Sequence, residues 1–172
     1  SSFIAEVHWE VDRAARVEYF AELVTDATRP AERQVEWADR LGLDEENLRV
    51  AIRWFFDHDI TPLPHMFRVL WLFWQMRDRM TEGQAWIDEL RSRADSLDEY
   101  SRAEVLFTWA VTSVEVGDDA AALAAIDAIE RFDGSVDDPH LQSALQLAVA
   151  WTLPIRDDFD GALEAASDAL GG

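Results

Sequence analysis

The chain has no cysteine. That excludes a disulfide framework, thiol catalysis and any cysteine-based metal site, and it suits a cytoplasmic protein. Glycine and proline are scarce, at 7 and 5 of 172 residues, which leaves little material for long loops. Alternating β-branched residues are almost absent, so the strand signal is missing. No apolar run reaches the ~20 residues that a membrane-spanning helix needs, and no signal peptide is visible. Ser1-Ser2 without an initiator Met reads as a tag scar on an excised domain. Positive charge is also short. Fifteen Lys and Arg face 35 Asp and Glu, for a net charge of −20. Such a field repels nucleic acid and anionic membranes, so neither is a partner.

Apolar residues make up 49% of the chain, with 8 Trp and 9 Phe. They recur at helical spacing. Val7, Val11, Ala14, Ala15, Tyr19, Leu23 and Val24 predict one helix, or two abutting ones, over Phe3 to Ala27. Thr28-Arg29-Pro30 ends it, because the residue before a proline is pushed out of the α region. A short helix from Ala31 to about Arg40 follows, with Gly42 as its left-handed terminator. Asp44 is positioned to cap the next helix, to about Asp57. Met66 to Met76 is apolar except for Arg68 and Gln75, which predicts a helix buried on all sides and central to the fold. Beyond it, helices are expected over 82–94, 99–116, 120–131, 137–153 and 159–170. Gly117-Asp118, Asp133-Gly134 and Pro154 to Asp157 supply the breaks.

A repeat underlies these helices. Gly83, Ala122 and Ala162 are 39 and 40 residues apart. Ile87, Ile126 and Ala166 follow in phase, then Leu90, Ile129 and Ala169. Trp71, Ala110 and Ala150 stand twelve residues before the anchors, and Trp74, Ser113 and Leu153 three after those. Each unit is a long helix, a tight turn and a second helix whose small residue permits close approach. Gly117-Asp118-Asp119-Ala-Ala-Ala122-Leu and Asp158-Phe159-Asp160-Gly-Ala162-Leu resemble the turn and second helix of tetratricopeptide (TPR) repeats. The spacing exceeds the usual ~34 residues of that family. The fold reading is thus all-α: one domain, with a helical cap over about 3–60 and a TPR-like α-α superhelix over 61–172.

Two stretches carry a narrower resemblance. Asp44-Glu45-Glu46-Asn47-Leu48-Arg49-Val50-Ala51-Ile52-Arg53-Trp54 resembles a Glu-x-Asp-Asn-Leu-Arg-Ala-Ala-Leu-x-Trp segment. Leu70-Trp71-Leu72-Phe73-Trp74, with Arg77 and Glu82-Gly83-Gln-Ala-Trp86-Ile87, resembles Leu-Trp-x-Phe-Trp-x-x-Arg-Gly-x-x-x-Glu-Gly-x-x-Trp-Leu. In this order they look like the helical region behind the ATPase of large actinobacterial STAND-type regulators, which often carry a LuxR-type helix-turn-helix. The resemblance implies a sensor, scaffold or autoinhibitory arm. No ATP-binding loop of the Gly-x-x-x-x-Gly-Lys-Ser/Thr kind is present.

No catalytic constellation emerges. His8, His58, His65 and His140 lack zinc-ligand spacing. Asp57-His58-Asp59 reads as an exposed helix end. Asp133 to Asp138 fails as a calcium loop, because Ala144 stands where the bidentate glutamate belongs. Paired acids sit at expected helix starts, where negative charge is favourable anyway. The reading assigns no catalytic residue, no cofactor and no metal. It expects a non-enzymatic module for a protein or peptide, including other domains of a parent chain. Repeat phase places His65, Arg68, Leu72, Gln75, Glu104, Phe107, Val111, Leu147 and Trp151 on the concave face. Internal packing of these residues, or a homodimer contact, is the competing account. A small-molecule pocket among Trp71, Trp74 and Trp109 is the alternative function.

The charge balance yields a first prediction. The isolated chain will not bind duplex DNA near physiological salt in fluorescence anisotropy. Sub-micromolar, salt-sensitive binding would refute it.

Overall fold

Leucine, alanine and aromatic residues at three-to-four spacing leave the backbone no better way to pair its N–H and C=O groups than helix. The computed structural model describes residues 31–132 and 136–170. Among them are seven α-helices, one 3₁₀ turn and no strand, in keeping with the all-α expectation. The helices are α1 (Ala31–Leu43), α2 (Glu45–His58), α3 (Leu63–Met76), α4 (Met80–Arg91), α5 (Glu99–Val116), α6 (Asp119–Arg131) and α7 (Pro139–Leu170), with the 3₁₀ turn at Ala94–Ser96. The helix expected over Phe3 to Ala27 and the Asp133-Gly134 break lie outside the described residues.

The chain forms two compact units, Ser1–Arg79 and Met80–Gly172. The division falls after α3. In the first unit the aromatic core runs from α2 into α3. Phe56 and Phe67 have ring centroids 6.2 Å apart, and Phe67 and Trp74 lie at 5.5 Å. Leu63, Met66, Phe67, Leu70, Phe73 and Trp74 are buried. The other side of α3 is not: Trp71 and Leu72 are half-buried, and Met76 is 46% exposed. The expectation of a helix buried all round is therefore corrected for α3.

Gly42 also departs from its expected role. It lies inside α1 and not at a left-handed terminus. What it supplies is space, because a Cβ at this position would fall on the guanidinium of Arg77. Asp44 sits before α2 but takes no backbone N–H; its Oδ1 accepts from Asn47 Nδ2 at 3.3 Å.

In the second unit α5 packs against α4, α6 and α7, and it is the helix buried around its circumference. Ala103, Glu104, Val105 and every residue from Phe107 to Ser113 are buried. Periodicity hides this role, since Thr108, Thr112 and Ser113 dilute the apolar pattern. The threonines satisfy themselves. Thr108 Oγ1 donates to the Glu104 carbonyl at 3.0 Å, and Thr112 Oγ1 to the Thr108 carbonyl at 2.8 Å. Gly117, at φ 74°, ends α5, and Asp118 caps α6 through the Ala121 N–H at 3.0 Å.

The expected break after Leu153 is absent. The helix runs unbroken from Pro139 to Leu170 with Pro154 inside it. A proline there removes one helical hydrogen bond and crowds the preceding turn, at a cost of about 3 kcal/mol.

Trp74, at 2% exposure in the aromatic core, sets the second prediction. Trp74→Ala will destabilise the chain by about 3–5 kcal/mol in urea unfolding. A loss below about 1 kcal/mol would mean that α3 is peripheral.

Candidate functional site

Two helix starts of the second unit, forty residues apart, are held by similar side-chain hydrogen bonds. Asp98 and Asp138 open α5 and α7 in the same way. Asp98 Oδ1 accepts the Ser101 N–H at 2.8 Å; Asp138 Oδ1 accepts the N–H groups of His140 and Leu141 at 2.8 and 3.4 Å. Tyr100 ties the two starts together, its hydroxyl donating to Asp138 Oδ2 at 2.9 Å. Thr112 and Thr152 repeat each other. Each is buried and donates back to carbonyls three and four residues earlier. Beneath the two starts, Ala103, Val136 and Leu141 form a small apolar cluster with Phe132 and Leu145 against it.

The concave-face residues do not share one environment. His65, Arg68 and Leu72 are half-buried and Gln75 is exposed, all on α3 of the first unit. Glu104, Phe107 and Val111 on α5 are 2%, 6% and 1% exposed. That is core-like burial and offers no surface to a partner, so the groove expected there is corrected at these three positions. The reason is the close packing of α5, whose small residues let neighbouring helices approach on several sides. Leu147 and Trp151, one turn apart on α7, are 48% and 39% exposed. Of the nine, these two large apolar side chains reach solvent.

The aromatic-pocket alternative divides between units. Trp74 is core in the first, and Trp109 belongs to the second. The face of Trp109 is already taken: the Arg91 guanidinium carbon sits 3.2 Å from its ring centroid. Burial pushes the Arg91 pKa below its ordinary value, and the hydrogen bond from its Nη1 to Asp88 Oδ1 at 3.2 Å opposes that shift. A partly exposed cation on a tryptophan face contributes about 0.5–1 kcal/mol, and the buried Trp109 Nε1 has no hydrogen-bond partner.

An open cleft of about 490 Å³ lies between α6 and α7, lined by Ala120, Leu123, Ala124, Asp127, Arg156 and Asp160. Arg156 Nη1 donates across it to Glu130 Oε1 at 3.0 Å. That bond, with the field of Glu130, Asp127 and Asp160, raises the Arg156 pKa. The cleft thus contains its own counter-cation. Near His58, Nδ1–H donates to the Trp54 carbonyl at 2.9 Å and the two rings stack 4.2 Å apart, so this histidine finishes a helix end. Among the described residues no three His, Asp or Glu side chains converge as metal ligands would. No helix among them is long and apolar enough to cross a membrane.

No protein family, no curated protein and no solved structure matches the chain. Sequence reasoning missed the Tyr100–Asp138 link and the paired threonines. The threonines, and the matched Asp98 and Asp138, stand forty residues apart in the sequence; the Tyr100–Asp138 link spans 38 and has no such signal.

The Asp98 cap sets the third prediction. The N–H and side chain of Ser101 hold its carboxyl pKa below the ordinary value. A depressed folded-state pKa gives stability that is present above the unfolded pKa, about 3.9, and is lost as pH falls through the folded value. Urea unfolding at stepped pH will show wild type losing stability more steeply than Asp98→Asn on acidification below about pH 4. Parallel curves would remove the cap from the account.

Proposed function

We propose that the chain is a TPR-like α-α superhelix serving as a non-enzymatic interaction or sensor arm of a larger STAND-type, LuxR-related regulator. The observation that carries the repeat reading is the matched pair of helix starts, Asp98 and Asp138, joined by Tyr100. In repeat proteins one structural unit recurs at a fixed period and contacts its neighbours, and a side-chain link between two similar helix starts supports that reading. The parent assignment rests on the segments Asp44–Trp54 and Leu70–Ile87, which resemble the region behind such ATPases.

The partner in this reading is a protein or peptide, with other domains of the parent chain as first candidates. Leu147 and Trp151 are its docking point. A large aromatic beside an aliphatic residue on an exposed helix face suits an apolar anchor on a partner, and tryptophan is enriched at such hot spots. The net charge of −20 favours a partner with basic residues around that anchor.

Two measurements test the proposal. The coding sequence around the chain will contain an upstream Gly-x-x-x-x-Gly-Lys-Ser/Thr loop; an open reading frame confined to this chain would end the parent assignment. In the parent protein, Leu147→Asp with Trp151→Asp will change ATP turnover by about tenfold or more, the scale of a lost hot spot. The excised chain with the same substitutions will keep its thermal midpoint. Unchanged turnover in a folded variant would remove docking from α7.

A further inference from the structure

The last helix keeps the sequence of a hairpin but the shape of a rod. Asp118 caps α6, and forty residues on stands Asp158, an aspartate in the middle of α7 with no helix start to cap. Gly117 makes the turn between α5 and α6; its counterpart Asp157 is helical. Ala110 and Ala122, twelve residues apart on adjacent packed helices, are both fully buried. Their counterparts are Ala150 and Ala162, and Ala150 is exposed. Ser113 is fully buried, and its counterpart Leu153 is 45% exposed. The positions that a second helix covers in one repeat are therefore open in the next, while the covering sequence continues straight on.

The junction is weak where a hinge needs weakness. Pro154 has no N–H for the Ala150 carbonyl, and its ring crowds that carbonyl. Two residues earlier, Thr152 Oγ1 turns back onto the Ala148 and Val149 carbonyls, at 3.3 and 2.7 Å, and competes with the backbone bonds of that turn. Beyond the proline, the bond from Arg156 to Glu130 at 3.0 Å fastens the straight form to α6.

We propose that α7 is a two-state element hinged at Pro154. In one state it is the straight helix, latched by Arg156 to Glu130. In the other, residues 158–170 fold back as a third hairpin capped by Asp158, covering Ala150 and Leu153. The exchange changes the apolar surface that α7 presents, and with it the ability of the arm to hold a partner. The inference rests on the repeat phase of the second unit and not on the parent assignment, so the two can fail separately.

The absence of cysteine makes the test direct. Ser143→Cys and Ser167→Cys, both exposed on α7, take spin labels uniquely. Labelled chain is diluted with unlabelled chain so that intramolecular pairs alone report. A straight helix separates the two positions by about 36 Å, at ~1.5 Å per residue. A hairpin brings the helix axes to about 10 Å, with the labels nearly level. Pulsed dipolar spectroscopy is expected to show both populations. Pro154→Ala shifts the ratio about 100-fold toward the long distance, as expected for restoring an interior helical residue. Arg156→Gln, a surface change, moves it about twofold toward the short one. A single distance in wild type that Pro154→Ala leaves unshifted, whether long or short, overturns the hinge. A distribution that Pro154→Ala moves to the long distance supports it, and the wild-type and Arg156→Gln measurements remain informative should that variant misfold.

Discussion

A helix enclosed on several sides imposes a cost on its own polar atoms, and in the second unit that cost is met only in part: Ser113 Oγ and Trp109 Nε1 are buried without a hydrogen-bond partner. α5 is so enclosed, yet it carries Thr108 and Thr112 in its buried run. Their hydroxyls are spent on carbonyls of the same helix, so no neighbour has to supply an acceptor. The neighbours meet a mixed surface, with the large Phe107, Trp109 and Val111 beside the small Ala103 and Ala110. That surface lets α4, α6 and α7 all pack against one element. Had the hydroxyls pointed outward, each would have required a matched polar group on a packing helix, at about 1–3 kcal/mol for every failure.

Acid at helix starts is the second organising device. Asp98, Asp118 and Asp138 each accept backbone N–H groups at the beginning of a helix, where the peptide dipoles also favour negative charge. Part of the acidic excess is thus structural. Asp138 has two roles, because its second oxygen receives Tyr100 from the neighbouring helix start. One carboxylate fixes a helix end and ties it to the neighbouring helix start.

The helical class and most helix positions were legible because apolar spacing and caps act locally. Gly117-Asp118 was read correctly, since a left-handed glycine followed by a capping aspartate leaves the chain little alternative there. Pro154 was not. A proline is a local penalty, and the structure carries α7 through it with support that includes the clasp from Arg156 to Glu130. Burial was misassigned between α3 and α5 for a related reason. Composition marked α3, with its tryptophans, as the centre, but Trp71 is half-buried while Ser113 is fully buried. Size reports what a residue could bury, and only the packing of neighbours decides what it does bury. The concave-face residues inherited that error: phase located them, but phase alone does not distinguish a groove from a core.

The self-contained threonines also bear on how such a chain diverges over time. A hydroxyl that serves only its own helix can be exchanged for a methyl without orphaning any other group, because the carbonyl it touches still has its backbone donor. Thr108 and Thr112 are therefore sites where serine or valine can enter one at a time without leaving a polar group stranded on a neighbouring helix. The interior of α5 can wander through sequence space while its geometry stays in place. Lineages descended from a common ancestor would keep the same helices and lose the letters by which they could be recognised.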